Sequence, residues 1–360
     1  MTYYHSSYGM RQKKKSGFKR FLLIFFLIIL IIASGLGYFV YGVIYNPNVW
    51  TAEGKPVTIK IPTNTDYDGL KNILYENGLV IHRKNFEWVA SFKKLENSVK
   101  SGNYEIKNAL SNNELINLLR SGNQVPVKVI FNNVKDVYQV AEKVAPQIEA
   151  DSIEIIEYVY STEFLQKISF DSADVSLLFI PNTYEFYWNT SAKGFAKRMH
   201  EEYESFWSGR RTNLADDINL TIKEIVVLAS IVEKETQKNS EKARIAGVYV
   251  NRLNRKWLLQ ADPTLLYVLD DPSIKRVLNV HKKIDSPYNT YKYLGLPPGP
   301  ICIPSIASID AVLNYERTTY MYFCAKDDLS GAHSFAKTLK EHNRNAKKYQ
   351  KALNKLKIYK

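Results

Sequence analysis

The chain has 360 residues, 45% of them hydrophobic and 24% charged, with 25 Tyr, 16 Phe and a formal net charge of +13. That length has room for about two domains beside an anchor, at roughly 150 residues per domain. Residues 1–20 carry +6 of the charge and no acid; the remaining +7 forms no basic stripe interleaved with stacking aromatics, which argues against nucleic acid as a partner.

Arg11, Lys13, Lys14, Lys15, Lys19 and Arg20 make residues 1–20 a basic tail. No charged residue follows until Glu53, and Phe21–Tyr45 reads as a membrane-spanning helix. Its 25 residues, at about 1.5 Å each, can cross a hydrocarbon core of about 30 Å with some tilt. Tyr38, Tyr41, Tyr45 and Trp50 gather at the far end, as interfacial aromatics do. A cleaved signal peptide, cut near Ala33-Ser34-Gly35, is the alternative, but apolar sequence resumes at Leu36. Bases on the near side place the tail in the cytoplasm and the rest beyond the inner (cell) membrane, as a single-pass protein.

Residues 46–56 read as a short polar linker. Residues 57–62 alternate like a half-buried strand, and a helix is expected over 66–77 with Leu70, Ile73 and Leu74 on one face. A helix over 85–92, a strand over 102–107 and a helix over 110–119 complete a small α+β unit, 57–125, which carries no evident chemistry. In 126–360, a strand over 126–131 precedes helices over 134–144, 152–159 and 193–206. Between the last two, Leu177–Trp188 reads as a short apolar strand followed by aromatics. Lys337–Lys360 reads as a basic helix with a solvated face.

The segment Thr221–Thr236 is the most informative. Thr221 followed by Glu224 forms a capping box and sets the helix start. Ile225, Val226, Val227, Leu228, Ile231 and Val232 make it apolar almost all round, so it should be buried. Glu235 shares the face of Leu228, Ile231 and Val232, whereas Glu233 points to the opposite side. A carboxyl at the edge of a buried apolar face loses solvation when charged, so its pKa should rise and it could deliver a proton near neutral pH. An ordinary exposed residue near a helix end is the plain alternative.

Downstream come Asn251-Arg252-Leu253, Leu259-Gln260-Ala261-Asp262-Pro263-Thr264, Ser286-Pro287-Tyr288-Asn289-Thr290-Tyr291, Gly295-Leu296-Pro297-Pro298-Gly299 and Glu341-His342-Asn343. Amides, a carboxylate and tyrosines suit sugar hydroxyls and N-acetyl groups, and proline-containing turns hold such loops rigidly. Other schemes find no support: there is no His-Glu-x-x-His, no Gly-x-Ser-x-Gly and no phosphate-binding glycine loop. The six histidines include no pair at helical ligand spacing, so no metal and no cofactor is expected; His333 and His342 read as loop or cleft hydrogen-bonders. Cys302 and Cys324 are too few for a disulfide framework and leave one pairing open.

In this order, Ile231–Thr236, the Leu-Gln-x-Asp-Pro-Thr run, Tyr-Asn-Thr-Tyr and Gly-Leu-Pro-Pro-Gly resemble the MltG or YceG-like family of endolytic murein transglycosylases. The resemblance is strong over about 210–350 and fainter over the anchor and 57–122, which is similar to the family's LysM-like subdomain. It implies an α+β catalytic domain over 126–360 that cuts MurNAc–GlcNAc bonds of nascent peptidoglycan strands and leaves 1,6-anhydro ends. It implies Glu235 as general acid/base, and the accompanying motifs offer Gln260, Asp262, Tyr288, Asn289, Tyr291 and Asn343 as substrate-binding residues. Peptidoglycan synthases or divisome proteins are the implied neighbours. The family's Glu-Gly-x-x-x-Pro-Asp-Thr-Tyr stands here as Ser176–Tyr184, without the Gly and with Asn182 for the Asp, which leaves that position a hydrogen bond but no proton. Asp262 as a second carboxylate would make the protein a hydrolase, and an inactive domain would make it a glycan-binding scaffold.

Overall fold

The computed structural model describes Met1, Gly9 and residues 17–274 and 276–355. The bases Arg11, Lys13, Lys14 and Lys15 lie outside the described residues, as do the last five residues of the expected basic helix. The chain divides into two compact units, Met1–Val125 and Pro126–Lys360. It is an α+β protein whose strands form three two-stranded antiparallel pairs among the described residues.

In the first unit, α1 (Gly17–Tyr45) is 29 residues long, apolar enough to cross a membrane, and none of its side chains is buried. β1 (Val57–Ile61), α2 (Tyr67–Glu76), α3 (Arg83–Phe92), β2 (Gly102–Ile106) and α4 (Asn112–Ser121) follow. β1 and β2 pair from Val57 opposite Ile106 to Ile61 opposite Gly102. Asp66 caps α2 by accepting from the Gly69 amide at 2.8 Å, and a Ser111–Glu114 capping box opens α4. Ile59, Ile61, Leu70, Leu74, Phe86, Val89, Tyr104, Leu115 and Leu119 fill one core between the strand pair and the helices.

Residues 46–56, expected as a polar linker, are instead built into this unit. Asn48, Val49 and Thr51 are buried. Pro47 bridges Ser111 and Val49 bridges Val80. The reason is backbone pairing: the amides of Asn48 and Val49 donate to the Leu110 carbonyl at 2.9 and 3.0 Å, satisfying donors that a buried segment cannot leave bare.

The second unit begins with β3 (Val127–Phe131), α5 (Val137–Val144), α6 (Ser152–Val159), α7 (Thr162–Ile168), β4 (Asn182–Phe186) and α8 (Ala192–Phe206). β3 pairs antiparallel with β4, Val127 opposite Phe186. α5 starts three residues later than expected because Asp136 caps it, while Val134 bridges Ile303. The expected strand at the apolar run from Leu177 forms on the residues after it. Leu177, Leu178, Phe179 and Ile180 are all buried and fill the core without alternating. Pairing begins where inward Tyr184 and Phe186 alternate with outward Thr183 and Glu185.

Around a second core lie α9 (Arg210–Ile218), α10 (Ile222–Glu235), α11 (Asn239–Asn254), α12 (Asp262–Leu269) and α13 (Ile306–Leu313). β5 (Tyr322–Ala325), β6 (His333–Ala336) and α14 (Leu339–Lys355) close the chain, with β5 and β6 antiparallel and α14 packed on them. Gly247 of α11 is obligatory: a Cβ there would sit 2.3 Å from the Glu316 carbonyl oxygen.

Candidate active site

α10 is the element that carries the site. Its first turn is fixed by the Thr221–Glu224 capping box, and every residue from Ile225 to Val232 is buried. Burial all round is affordable because its one interior hydroxyl is used twice: Ser230 Oγ donates to the Val227 carbonyl at 2.7 Å and accepts from the Ile301 amide at 3.0 Å.

The two glutamates at the end of α10 part company. Glu233 Oε2 accepts from Ser305 Oγ at 2.5 Å, from Ser308 Oγ, and from Lys242 Nζ at 3.0 Å. Burial alone would raise its pKa, but these three donors outweigh it and hold the carboxyl below its ordinary value. Lys242 is only 4% exposed, so Glu233 is the counter-charge that ties α10 to α11 and to the start of α13.

Glu235, the last residue of α10, turns towards a cavity of about 340 Å³ lined by Tyr249, Arg252, Gln260, Asp262, Tyr291 and His342, among others. Lost solvation pushes its carboxyl up to about 7. The Tyr249 hydroxyl, donating to Glu235 Oε1, and the Arg252 guanidinium pull it back, while the Asp262 carboxylate adds to the rise. The shift brings the carboxyl into the range where it can both hold and release a proton near neutral pH. Burial and the adjacent Glu235 in turn drive the Tyr249 phenol well above its ordinary value, so it stays a donor.

The two motifs after α11 form one wall. The Gln260 amide donates to the Thr290 carbonyl at 3.0 Å, and the Ala261 amide to Thr290 Oγ1 at 3.0 Å. Thr264 Oγ1 lies 2.9 Å from Thr290 Oγ1. This buried threonine pair zips the start of α12 to the 286–291 loop and brings the Tyr291 hydroxyl onto Asp262 Oδ1 at 2.5 Å. Gln260, Asp262 and Tyr291 thus share the cavity with Glu235.

Tyr288, Asn289 and Asn343, offered by the sequence as substrate-binding residues, are not among those that line this cavity. Asn289 is fully buried and shapes the loop from within: its amide donates to the Lys282 and Ile284 carbonyls at 3.0 and 2.7 Å, and its Oδ1 accepts from the Tyr291 amide at 3.0 Å. Tyr288 packs on Tyr267, ring centroids 4.9 Å apart, with its hydroxyl over Gly299, where a Cβ would lie 2.9 Å away. That close approach explains the glycine ending Gly-Leu-Pro-Pro-Gly. Asn343 is exposed on α14, and its neighbour His342 faces the cavity instead, stacked on Tyr322 at 5.5 Å. Burial lowers the His342 pKa, with Arg252 adding to it. Asn182 is exposed at the start of β4, opposite Phe131, and its Oδ1 accepts from the Thr183 amide at 2.8 Å. His333 holds Glu241 rather than the cavity, Nδ1 to Oε2 at 3.0 Å. Cys302 and Cys324 are both free, the first buried.

The sequence does not single out Tyr249, whose hydroxyl donates to Glu235. It sits in the middle of α11, in a run (Ile245-Ala246-Gly247-Val248-Tyr249-Val250) that reads as plain core. Arg252 reads in the sequence as part of a polar run, yet it is 8% exposed and bolts α11 to Met321 and Leu259 through their carbonyls at 2.9 and 2.5 Å. A tyrosine and an arginine three residues apart on a largely apolar helical run were the available signal.

A model of the YceG-like family matches residues 59–348. The chain is 28% identical to a Bacillus subtilis protein named endolytic murein transglycosylase over 335 residues, covering 88% of this chain and 91% of that one. It is 29% identical to the protein of that name from Streptococcus pneumoniae D39 over 360 aligned positions, 90% of this chain but 64% of the longer relative. The crystal structure of a yceG-like protein from Listeria monocytogenes superposes with a TM-score of 0.52 at 26% identity, covering 81% of this chain and 99% of that one.

Proposed function

The chain belongs to the YceG-like family, and on that premise we propose that it is a peptidoglycan lytic transglycosylase that cuts within glycan strands, with Glu235 as its acid and base. The relatives' shared name supports the substrate and the reaction class. What carries the residue assignment is the carboxyl of Glu235, raised to about 7 inside a cleft wide enough for a sugar.

The reaction needs a proton twice. Glu235, protonated, gives its proton to the glycosidic oxygen as the C1–O bond breaks. The resulting carboxylate then takes the proton of the muramic sugar's own 6-hydroxyl, whose oxygen closes on C1 to give the 1,6-anhydro ring; no water is consumed. Tyr249 engages Oε1 and orients the carboxyl, leaving Oε2 for the substrate. Positive charge develops at C1 when the bond breaks, and the Asp262 carboxylate, fixed by Tyr291, is placed in the same cleft to stabilise it. Gln260 and His342 supply hydrogen bonds to the sugar. Nascent strands reach this cleft because α1 holds the protein in the membrane with the second unit outside the cytoplasm, beside synthases or divisome proteins; the first unit has the role of a LysM-like subdomain.

The presence of Asp262 in the cleft favours one other reading, a two-carboxylate hydrolase. Mass spectrometry of peptidoglycan digested by the full chain decides: anhydro ends support the transglycosylase, new reducing ends the hydrolase, and uncut strands a binding protein. Glu235→Gln should abolish cutting while the protein still binds strands; normal activity in that variant would remove Glu235 from the mechanism.

A further inference from the structure

We propose that the exposed face of α3 rests on the lipid surface beside α1, so that the first unit is seated on the membrane instead of standing off it; this rests on α1 spanning the bilayer. The join between α1 and the unit is rigid. Asn112 Nδ2 donates to the Val43 carbonyl, still inside α1, at 2.8 Å, and Val43 and Ile44 pack on the unit's core. Asn48 locks the next turn: its amide donates to Asn112 Oδ1 at 2.7 Å and to the His82 carbonyl at 3.2 Å, and its Oδ1 accepts from the His82 amide at 2.7 Å.

This join fixes the depth of α3. Counting from Phe21, the first residue after the tail's last base, about 20 residues at ~1.5 Å cross a core of ~30 Å and end near Val40. Tyr41–Tyr45 then lies in the headgroup layer. A cavity of about 430 Å³ is lined by Tyr38, Phe39 and Asn46 on α1 and its end, and by His82, Asn85 and Asn112 opposite. The first turn of α3 therefore sits at the height where hydrocarbon gives way to headgroups.

From that turn, α3 buries Phe86, Val89 and Ala90 and leaves Lys84, Trp88 and Phe92, spaced four apart, on another face. Trp88 is 49% and Phe92 73% exposed, and their rings stack at 6.2 Å and 11°. Ile81 and Trp50, at the same entry to the unit, are 51% and 55% exposed. Two stacked rings bare to water are costly for a soluble surface, but Trp with a cation beside it is what the membrane interface selects. Arg83 and Lys84 are both exposed and supply positive charge for anionic headgroups.

The full chain would be reconstituted into vesicles of equal parts phosphatidylglycerol and phosphatidylcholine, with and without bromine on the acyl chains near the headgroup, and washed with carbonate. Retention after the wash establishes the span. Brominated lipid should quench part of the tryptophan emission, Trp50 included, and Trp88→Phe should lower the quenched part without removing it, while benzoylphenylalanine at position 92 should crosslink to lipid. Retention with quenching unchanged by Trp88→Phe and no lipid crosslink would overturn the seated face alone, as would a crosslink from position 92 to a protein. Release by carbonate would overturn the span and the seated face together.

Discussion

Glu235→Gln should make the folded protein more stable than the parent, with an advantage that opens as pH rises past the carboxyl's ordinary value and is complete above its folded value. The carboxyl titrates at about 7 in the folded chain against an ordinary 4.5. A group whose folded pKa is raised favours folding below its unfolded pKa, and that contribution is lost as pH rises through the folded pKa. Between 4.5 and about 7, at about 1.36 kcal/mol per pH unit, the loss amounts to roughly 3 kcal/mol. Glutamine keeps the shape and can still accept from Tyr249, but never ionises, so it escapes this cost. The variant and the parent should melt together near pH 4 and separate between about 4.5 and 7. At pH 8 the variant should melt roughly 6–12 °C higher, on the scale expected for a unit of this size. Thermal unfolding of both chains in the same detergent, at half-unit pH steps, reads this directly. A melting difference that is flat with pH, or that favours the parent at pH 8, would refute the argument that Glu235 is held in a desolvated site in exchange for catalytic function.

Tyr249→Phe removes a hydrogen bond that holds the Glu235 carboxyl down, so the alkaline fall of cutting activity should move up by roughly one pH unit, read from a pH–rate profile. Glu233→Gln should instead cost roughly 3 kcal/mol of stability by stranding buried Lys242, while the folded fraction keeps near-normal turnover; denaturant melts and active-fraction kinetics separate the two effects. Asn289→Ala strands the Lys282 and Ile284 carbonyls and frees the Tyr291 amide, so stability should fall by roughly 1–3 kcal/mol and substrate affinity with it, measured by melting and KM. Removing residues 1–46 strips Val43 and Ile44 from the first unit's core and should destabilise that unit by roughly 3 kcal/mol, seen as faster proteolysis, while cutting in solution persists.

Much of this protein is determined by local sequence alone. A charge-free apolar run of membrane length after a basic tail reads as a helix, because a helix pairs its own backbone groups without any other segment. Caps such as Thr221–Glu224 and Asp66 act within four residues, so they announce helix starts without reference to the rest of the chain. Glu235 could be singled out for the same reason: its place on the buried face follows from helical periodicity. What periodicity does not contain is which polar residues of different segments converge. Asn289 and Tyr291 sit two apart in one loop, and only the packing of Thr290 against Thr264 turns the tyrosine onto Asp262 and the asparagine inward to satisfy carbonyls. Asn343 and His342 are adjacent on one helix, and only its docking on β5 decides which of them faces the cleft. Tyr249 reads as core because it is core; the acid fourteen residues before it in sequence meets its hydroxyl only when α11 folds back along α10. The physical reason is one of range: caps and amphipathic faces are set by neighbours within a turn or two, whereas a desolvated carboxyl and its hydrogen-bonding partner are created by burial, which exists only once distant segments have packed.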